Sequence, residues 1–465
     1  MKLSKLAFSV MLALTVTACT TGNMSNDGSL QKAQETYQSY DEITKQYQIN
    51  EQWWQGYSDA ELNRVVDLAV KNNLDLAKSG IAVNKALYNA NLVGANLVPT
   101  FSGSGSASAA KGLGSASSNN ISTGVSTTAA QAAFNLSYTI DLWQRLADTA
   151  SAAEWVHKAT VEDLKATRLS IINSVVTTYY QLAYYRDAIR ITEESIKNYE
   201  QISRILTNKM NAGAIDRLAV DQAQQAVLTA RNKVIELRTM QKTAEQTLRN
   251  LLNVHPNTPL NIRYPNIMNV KLQGVDLNVP VSAIANRPDV VGSLQRLQSA
   301  FKSLTATEKS WFPTLTIGGS ITGNATNVGN IADNPVGNAL IKLDLPFLDW
   351  NRVKNNVKIS EADYVTARLN YEQKITSALN EIDRYYYGYT QSRSSLKVLQ
   401  DAYNQDKRIS TYYKNRYEQG VSEFREWIAA MNTERNSQLA ILNAKYTILA
   451  NENAVYQAMA GKYRR

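Results

Sequence analysis

The chain has 465 residues with 49 Lys or Arg and 40 Asp or Glu, so its formal net charge is +9. The basic residues are dispersed among acidic ones, which argues against nucleic-acid binding because that function needs a clustered basic face. The single cysteine and the two histidines, His157 and His255, form no metal-ligand spacing and no nucleophile–base pair, so we predict a protein that is not an enzyme and holds no metal or cofactor.

The N-terminus has the features of an export signal. Two lysines precede the apolar segment 6–16, which is too short to cross a bilayer as a helix. The segment ends in Val16-Thr17-Ala18-Cys19, which resembles the lipobox of bacterial lipoproteins. That resemblance implies removal of a signal peptide at 1–18, a covalent lipid on Cys19 and, because Thr20 follows, sorting to the outer membrane. The alternative is an ordinary signal peptide followed by a buried structural cysteine.

The first half of the chain combines a helix, two strands and a helical hairpin. After an N-terminal, lipid-anchored segment at 19–58, the apolar spacing predicts a helix over 59–97, and Pro99 ends it. Strands are predicted at about 98–110 and 127–140. The second of them alternates between two faces, and its apolar face consists of Phe134, Leu136, Tyr138 and Ile140.

A helical hairpin is predicted over 142–253, with its turn at Gly213. Nearly seventy residues before the turn contain no proline or glycine, enough for a rod of about 100 Å. The second helix carries apolar residues at alternating steps of three and four, a heptad seam that favours close helix packing. The seam consists of Val220, Ala223, Val227, Ala230, Val234, Leu237, Ala244, Leu248 and Leu251.

The second half of the chain repeats the first. Trp143 matches Trp350 at a shift of 207 residues, whereas Pro99 matches Pro313 at a shift of 214. A repeat of this length is a duplicated half-molecule, because solenoid repeats are far shorter.

The predicted repeats are 59–253 and 281–465, joined by an irregular linker at 254–280. In the second repeat we predict a helix at 281–311, strands at about 313–323 and 339–347 with a loop at 323–338, and a hairpin at 351–459 that turns at Gly420.

The strands indicate how the chain crosses a membrane. After the signal peptide no segment has eighteen uninterrupted apolar residues, so we predict no transmembrane helix; if the chain crosses a membrane, it must do so with strands. Four strands leave open edges, which hydrocarbon does not tolerate, so the barrel must be shared between chains. Three copies supply twelve strands. The alternative, a non-channel trimeric coiled-coil adhesion lipoprotein, explains the helical rods but not the amphipathic strands.

Several motifs resemble those of one family. They are Trp53-Trp54, Asn73-Leu74-Asp75-Leu76, Arg287-Pro288-Asp289-Val290 and Phe312-Pro313-Thr314-Leu315. Together they resemble the NodT-type, TolC-like outer membrane factors, which are the exit ducts of tripartite efflux pumps. The resemblance implies a mixed α and β membrane protein: a trimeric 12-stranded outer-membrane β-barrel, four strands per chain, continuous with an α-helical coiled-coil periplasmic tunnel.

The same resemblance implies a periplasmic gate near the two helical turns. By position after the second turn, Glu423 and Glu426 fall where gate acids cluster in the family, and Arg425 and Asp221 are further gate candidates. The family pattern is incomplete, because Ala429 stands where some members have an aspartate. The alternative is a solvated tip, since charges at helix ends commonly cap or solvate.

The turns themselves match the family motif that meets the periplasmic adaptor. The predicted adaptor-contacting residues are Ala212, Gly213, Ala214, Gln419, Gly420 and Val421. A separate group of tyrosines is predicted to pack between helices and not to bind substrate, namely Tyr179, Tyr180, Tyr386 and Tyr387.

The implied partners are two further copies of the chain, a periplasmic adaptor (membrane fusion) protein, an inner-membrane transporter of the RND type and outer-membrane lipid. The expected cargo is drugs or other toxic small molecules. Type I protein secretion is the alternative. Metal-ion efflux also stays open, although the eight methionines form no cluster that supports it.

Overall fold

The computed structural model describes residues 52–111, 126–275 and 285–460, so the predicted signal peptide and Cys19 lie outside the described residues. The helices are α1 (Ala60–Asn72), α2 (Leu74–Gly94), α3 (Arg145–Asn211), α4 (Arg217–Leu252), α5 (Pro288–Glu308), α6 (Trp350–Glu418) and α7 (Phe424–Ala458). The strands are β1 (Thr100–Lys111), β2 (Ser126–Ile140), β3 (Thr314–Ala325) and β4 (Pro335–Asp344). Short 3-10 helices lie at Trp53–Tyr57, Ala95–Leu97, Ile267–Asn269, Lys309–Trp311, Val328–Asn330 and Pro346–Asp349.

The chain divides into two compact units. Among the described residues, the first unit comprises Ile81–Thr160 and Ser293–Tyr371 and contains the four strands. The second unit contains both helical turns and comprises residues 52–80, 161–275, 285–292 and 372–460.

The strands form one antiparallel sheet in the order β1-β2-β3-β4. Thr100 pairs with Ser137 in the first hairpin, and Thr314 pairs with Asp344 in the second. These two pairs are related by the shifts found in the sequence, 214 residues for the first strand and 207 for the second. β1 and β3 also have the same length of 12 residues. The predicted internal duplication is therefore confirmed in the strand register.

Two buried or half-buried aspartates fix the start of α3 after the sheet. The carboxylate of Asp141 accepts hydrogen bonds from two backbone N–H groups of the first helical turn, at 3.0 and 2.8 Å. Asp148 is buried and forms ion pairs with Lys302 and Lys309. Burial alone raises the pKa of Asp148, but hydrogen bonds from the two lysines outweigh this effect and hold the pKa below its ordinary value.

The helix predicted over 59–97 is interrupted at Asn73, so that prediction was wrong. Asn73 has extended backbone and its side-chain oxygen accepts hydrogen bonds from the N–H groups of Asp75 and Leu76, at 3.0 and 3.1 Å. Its amide nitrogen donates to the carbonyl oxygen of Leu251 at 2.9 Å. Asparagine side chains compete with helical backbone hydrogen bonds, and here the local alternative ends α1 and starts α2.

Two further boundaries in the second repeat differ from the prediction. α5 begins at Pro288, because proline suits the first turn of a helix, where its missing N–H leaves no bond unmade. β4 begins at Pro335 inside the segment predicted as a loop, and it ends at Asp344. Proline is tolerated at the first residue of a strand, and β4 is an edge strand of this sheet.

The heptad seam predicted for α4 is buried at every position but the last. There the predicted residue, Leu251, is half-exposed, and its neighbour Leu252 is buried instead. None of the helices among the described residues combines the length and apolarity that crossing a membrane requires.

The linker between the repeats is held by buried polar groups of the second unit. The carboxylate of Glu452, which is buried, accepts hydrogen bonds from the backbone N–H groups of Gln273 and Gly274, at 3.3 and 2.7 Å. The hydroxyl of Tyr456 donates to the carbonyl oxygen of Gly274 at 2.7 Å. The described part of the linker, residues 254–275, is therefore largely irregular in backbone but fixed to α7.

Candidate functional site at the helical turns

The two helical turns have the same backbone geometry. The N–H of Gly213 donates to the carbonyl oxygen of Met210, and that of Ala214 donates to Lys209, both at 2.9 Å. The equivalent bonds about Gly420 measure 3.0 and 2.9 Å. This pair of bonds is the Schellman motif, which closes the last carbonyls of a helix and requires a left-handed residue. Glycine meets that requirement at φ +69° in the first turn and +73° in the second.

The residues predicted to contact an adaptor form the outer surface of these turns. All six are exposed: Ala212, Gly213, Ala214, Gln419, Gly420 and Val421. Their side chains are small or apolar apart from Gln419, and Val421 is 58% exposed. The guanidinium of Arg416 donates to the carbonyl oxygen of Val421 at 3.3 Å, which fixes the far side of the second turn.

The predicted gate residues lie close to the turns and are exposed. Glu423 is the N-cap residue of α7, and Arg425 and Glu426 belong to its first turn. The hydroxyl of Ser422 donates to the carboxylate of Glu426. Asp221 is exposed near the start of α4, where it pairs with Arg217 of the same helix at 3.5 Å. The structure thus gathers three candidates at the start of α7 and leaves Asp221 on another helix.

An aromatic cluster beneath the second turn joins the two hairpins. Tyr417, Phe424 and Trp427 have ring centroids 5.4 to 5.8 Å apart. The ammonium group of Lys209 lies 5.2 Å from the ring centroid of Tyr417. Burial raises the pKa of Tyr417, so its hydroxyl stays neutral.

This cluster continues into an apolar core between α3, α4 and α7. Its buried members are Tyr199, Leu206, Val220, Ala223, Ala226, Val227, Ala230, Phe424 and Ile428. The hydroxyl of Tyr199 donates to the side-chain oxygen of Asn432 at 3.0 Å. The seam residues of α4 in this core were predicted from the sequence, but the aromatic cluster was missed, although the spacing of Phe424 and Trp427 places them on one face of α7.

The arrangement therefore holds exposed charges on a rigid base. The turn backbone is fixed by hydrogen bonds and the aromatic cluster is packed, whereas Glu423, Arg425 and Glu426 extend into solvent. Such charges can pair with groups of another chain or attract ions. Among the described residues no three His, Cys, Asp or Glu side chains are grouped closely enough to hold a metal ion.

The predicted tyrosine group behaves differently in the two repeats. Tyr179 and Tyr180 are buried and in edge-on contact at 5.3 Å, and Tyr179 donates to the carboxylate of Asp59 at 3.0 Å. Tyr386 is half-buried, but Tyr387 is 67% exposed. Packing between helices in this chain therefore accounts for the first pair and not for Tyr387.

A family model described as outer membrane efflux protein matches residues 65–254 and 279–461. An uncharacterised protein of Haemophilus influenzae is 56% identical over 454 residues, which cover 98% of each chain. Toxin and drug export protein A of Aggregatibacter actinomycetemcomitans is 54% identical over 462 residues, covering 99% of this chain and 98% of that protein.

The structure resembles the CmeC outer membrane channel of Campylobacter jejuni with a TM-score of 0.78 and 25% identity, covering 89% of this chain and 88% of that one. The predicted fold class and the resemblance stated from the motifs are therefore confirmed.

Proposed function

The chain belongs to the outer membrane efflux protein family, and on that premise we propose that three copies form one exit duct that conducts toxic small molecules out of the periplasm. The observation that carries this proposal is the duplicated strand hairpin in one sheet, whose two edges pair with no other strand of the described residues, in a chain of a channel family. The family is one of channels in the outer membrane and is not a class of enzymes.

The trimer follows from the sheet. β1 and β4 are the edge strands, so each offers unpaired backbone groups within the chain. A backbone N–H or C=O group without a hydrogen-bond partner in hydrocarbon costs several kcal/mol, roughly as for an unbonded amide. Pairing with another strand removes this cost. Three chains of four strands make a closed set of twelve, an even number in the usual range for outer-membrane proteins.

The helical turns are the proposed contact surface for a periplasmic adaptor, with an inner-membrane transporter of the RND type below it. The rigid Schellman turns expose small side chains, against which a partner protein can pack without steric clashes. Around a threefold axis, the three copies of Glu423, Arg425 and Glu426 would lie close together and hold the duct nearly closed at rest.

We expect attachment to the outer membrane to be reinforced by a lipid on Cys19. Mass spectrometry of the mature N-terminus should find an acylated Cys19, and an unmodified peptide that begins elsewhere would exclude the anchor. Because the strands also anchor the protein in the membrane, Cys19→Ala should lower the amount of assembled protein but leave part of the activity.

The proposed cargo is drugs and similar toxic small molecules. Support comes from Toxin and drug export protein A, which is 54% identical over 99% of this chain. Because that name combines toxin export with drug export, protein secretion is the second candidate function. The test must therefore measure secreted proteins as well as drug efflux.

The test is deletion of the gene in its host, complemented by the wild-type gene or by an empty vector. We expect deletion to raise drug susceptibility and the accumulation of a fluorescent dye, and the wild-type gene to restore both. The proteins in the culture medium should stay unchanged. Loss of a secreted protein with unchanged dye accumulation would instead favour type I secretion.

A tip variant separates the adaptor contact from assembly. Ala214→Asp adds one charge to the exposed surface of the first turn, whereas Gln201→Glu adds the same charge to an exposed site on α3, away from the turn. Only Ala214→Asp should abolish dye efflux, while both variants stay trimeric. Equal efflux by the two variants would exclude this turn from the adaptor contact.

A further inference from the structure

The strands of the sheet carry very few charged residues. In β1, β2, β3 and β4 the charged residues are Lys111, Lys342 and Asp344. Lys111 is the last residue of β1, at one end of the sheet. Asp344 is the last residue of β4 and pairs with Thr314, the first residue of β3, so it lies at the opposite end with Lys342 close by. At that end of the four strands, the charge is confined to Lys342 and Asp344.

The two faces of the sheet differ in chemistry. One face carries large apolar side chains that are exposed in the single chain, namely Phe101, Phe134, Leu136, Ile317, Ile321, Ile341 and Leu343. The other face carries mainly hydroxyl and amide groups, and Val336 and Leu340 are its large apolar exceptions. On this polar face the hydroxyls of Thr139 and Thr316 are 3.0 Å apart. In a membrane barrel the apolar face meets lipid and the polar face meets water.

Lys342 and Asp344 belong to the polar face. Lys342 lies opposite Thr316, and Asp344 lies opposite Thr314. Because successive side chains of a strand point to opposite faces, Leu343 between them lies on the apolar face. The side chains of Lys342 and Asp344 are 60% and 46% exposed. In the proposed duct both charges therefore face the water-filled interior.

The two charges of β4 balance each other. The ammonium nitrogen of Lys342 lies 2.9 Å from a carboxylate oxygen of Asp344. Opposite charges this close largely cancel each other's Coulomb energy with a distant ion. The first repeat has neutral residues at the equivalent positions, because the shift of 207 relates Lys342 to Asn135 and Asp344 to Ser137. Each chain thus adds one positive and one negative charge, and no net charge, to this level of the wall.

We propose that Lys342 and Asp344 of three copies form a charge-balanced ring at the end of the barrel that adjoins the helices, and that this balance lets cargo of either charge pass. The inference rests on the proposed trimeric duct and names the residues that set the charge selectivity of its strand section. A ring of like charges in a pore selects ions by their sign. Asp344 therefore prevents the three lysines from repelling cationic cargo, and Lys342 prevents the three aspartates from repelling anionic cargo.

Reversal potentials in planar lipid bilayers under a KCl gradient test the ring. The background for all variants is Glu423→Gln, Arg425→Gln, Glu426→Gln, so that charges of the tip do not mask those of the barrel. Asp344→Asn leaves three unpaired lysines and should shift the reversal potential toward anion preference. Lys342→Gln leaves three unpaired aspartates and should shift it toward cation preference. The variant with both substitutions should return to the value of the background.

A neutral substitution at the equivalent position of the first repeat is the matched control. Ser137→Asn introduces the same side chain as Asp344→Asn on the same face of the sheet, but changes no charge. It should leave the reversal potential at the background value. Salt gives a second check, because the screening length falls from about 10 Å at 0.1 M to about 3 Å at 1 M. Both shifts should therefore be larger at the lower salt concentration.

The outcomes separate the ring from the duct. Conducting channels whose reversal potential is unchanged in both single variants, or shifts in the same direction in both, would overturn the ring and leave the proposed duct standing. A shift of the same size in Ser137→Asn as in Asp344→Asn would also overturn the ring, because charge would not be the cause. Bilayers that contain trimers but show no channels would overturn the duct and the ring together.

Cysteine labelling tests the assignment of the faces without electrical recording. Lys342→Cys and Leu343→Cys differ by one residue and therefore by one face of β4. Outer membranes are treated with a small, charged thiol reagent that does not enter lipid, and the unsubstituted chain, whose one cysteine is Cys19, gives the background. Lys342→Cys should be labelled faster than Leu343→Cys. Labelling of Leu343→Cys at the same rate or faster would place Lys342 outside the interior and overturn the ring.

Discussion

Arg238 on α4 donates to the carboxylate of Glu193 on α3 at 2.7 Å. The same relationship recurs seven residues along each helix, where Arg231 donates to Glu200, also at 2.7 Å. The spacing of seven is that of the heptad seam, so the two ion pairs fit one and the same antiparallel register of the first hairpin.

The second hairpin keeps its register with hydrogen bonds from neutral donors. Ser437 donates to the carboxylate of Asp406, and the amide of Asn451 donates to the hydroxyl of Ser392 at 3.3 Å. These two pairs are also displaced equally, by fourteen residues on each helix. The repeats therefore share a fold but fix it with different chemistry.

The exposed ion pairs are expected to be weak and sensitive to salt. Glu193→Arg should destabilise the first hairpin by about 0.2–1 kcal/mol, the range for exposed pairs, and adding Arg238→Glu should restore stability. The measurement is thermal unfolding at low and at high salt, where screening should remove the difference. A double variant no more stable than Glu193→Arg at low salt would show that the pair does not fix the register.

The turn glycines are expected to matter through backbone conformation alone. A Cβ at Gly213 or Gly420 would meet no atom within 4 Å, but both residues have positive φ. Substitution by alanine should therefore destabilise the chain by about 1–2 kcal/mol at each turn. Gly94→Ala is the control, because Gly94 has helical φ of −61° and equally open space. Thermal unfolding should rank both turn variants below Gly94→Ala; an equal effect at all three sites would contradict the assigned turn geometry.

A half-buried ion pair should make stability depend on pH. Arg287 donates twice to Asp289, at 3.0 and 3.1 Å. Burial raises the pKa of Asp289, but the hydrogen bonds and charge of Arg287 outweigh it, so the pKa lies below its ordinary value. A carboxyl with a lowered folded-state pKa contributes stability above its unfolded pKa, about 3.9, and loses it as pH falls through the folded value.

Asp289→Asn should therefore cost about 1.5–3 kcal/mol at neutral pH, the range for hydrogen bonds to charged groups. The difference from wild type should shrink as pH falls below about 3.9. Urea unfolding of both proteins across this range is the measurement. A constant difference down to strongly acidic pH would assign the loss to packing and not to the ion pair.

Much of the architecture is visible in the sequence because it follows from side-chain periodicity. The alternation of β2, the α4 seam and the turn glycines each have a local physical cause, so their positions could be predicted. The interruption at Asn73 and the start of β4 at Pro335 could not, because each depends on a distant partner: the carbonyl of Leu251 for one, and pairing with β3 for the other. At the site, the charged residues could be identified from their position after the second turn. The aromatic cluster around Tyr417 could not be predicted, because it depends on the contact between the two hairpins.

Neutralising the gate candidates should loosen the closed tip. The triple variant Glu423→Gln, Arg425→Gln, Glu426→Gln removes the charges that would interleave around the threefold axis. We expect a higher single-channel conductance than wild type and, because the acids favour cations, a weaker cation preference in reversal-potential measurements. The control is Glu236→Gln, which neutralises an exposed acid on α4 away from both turns. Wild-type conductance and selectivity in the triple variant would make these residues a solvated tip.

The central claim is that the assembled chain forms a water-filled duct across the outer membrane. Single-channel recording in planar lipid bilayers with purified, full-length trimers tests it most directly. The account predicts discrete current steps, small and infrequent for the wild type, whose tip rests nearly closed, and larger for the triple gate variant. Bilayers that contain trimers of both proteins yet remain as insulating as bilayers without protein would contradict it.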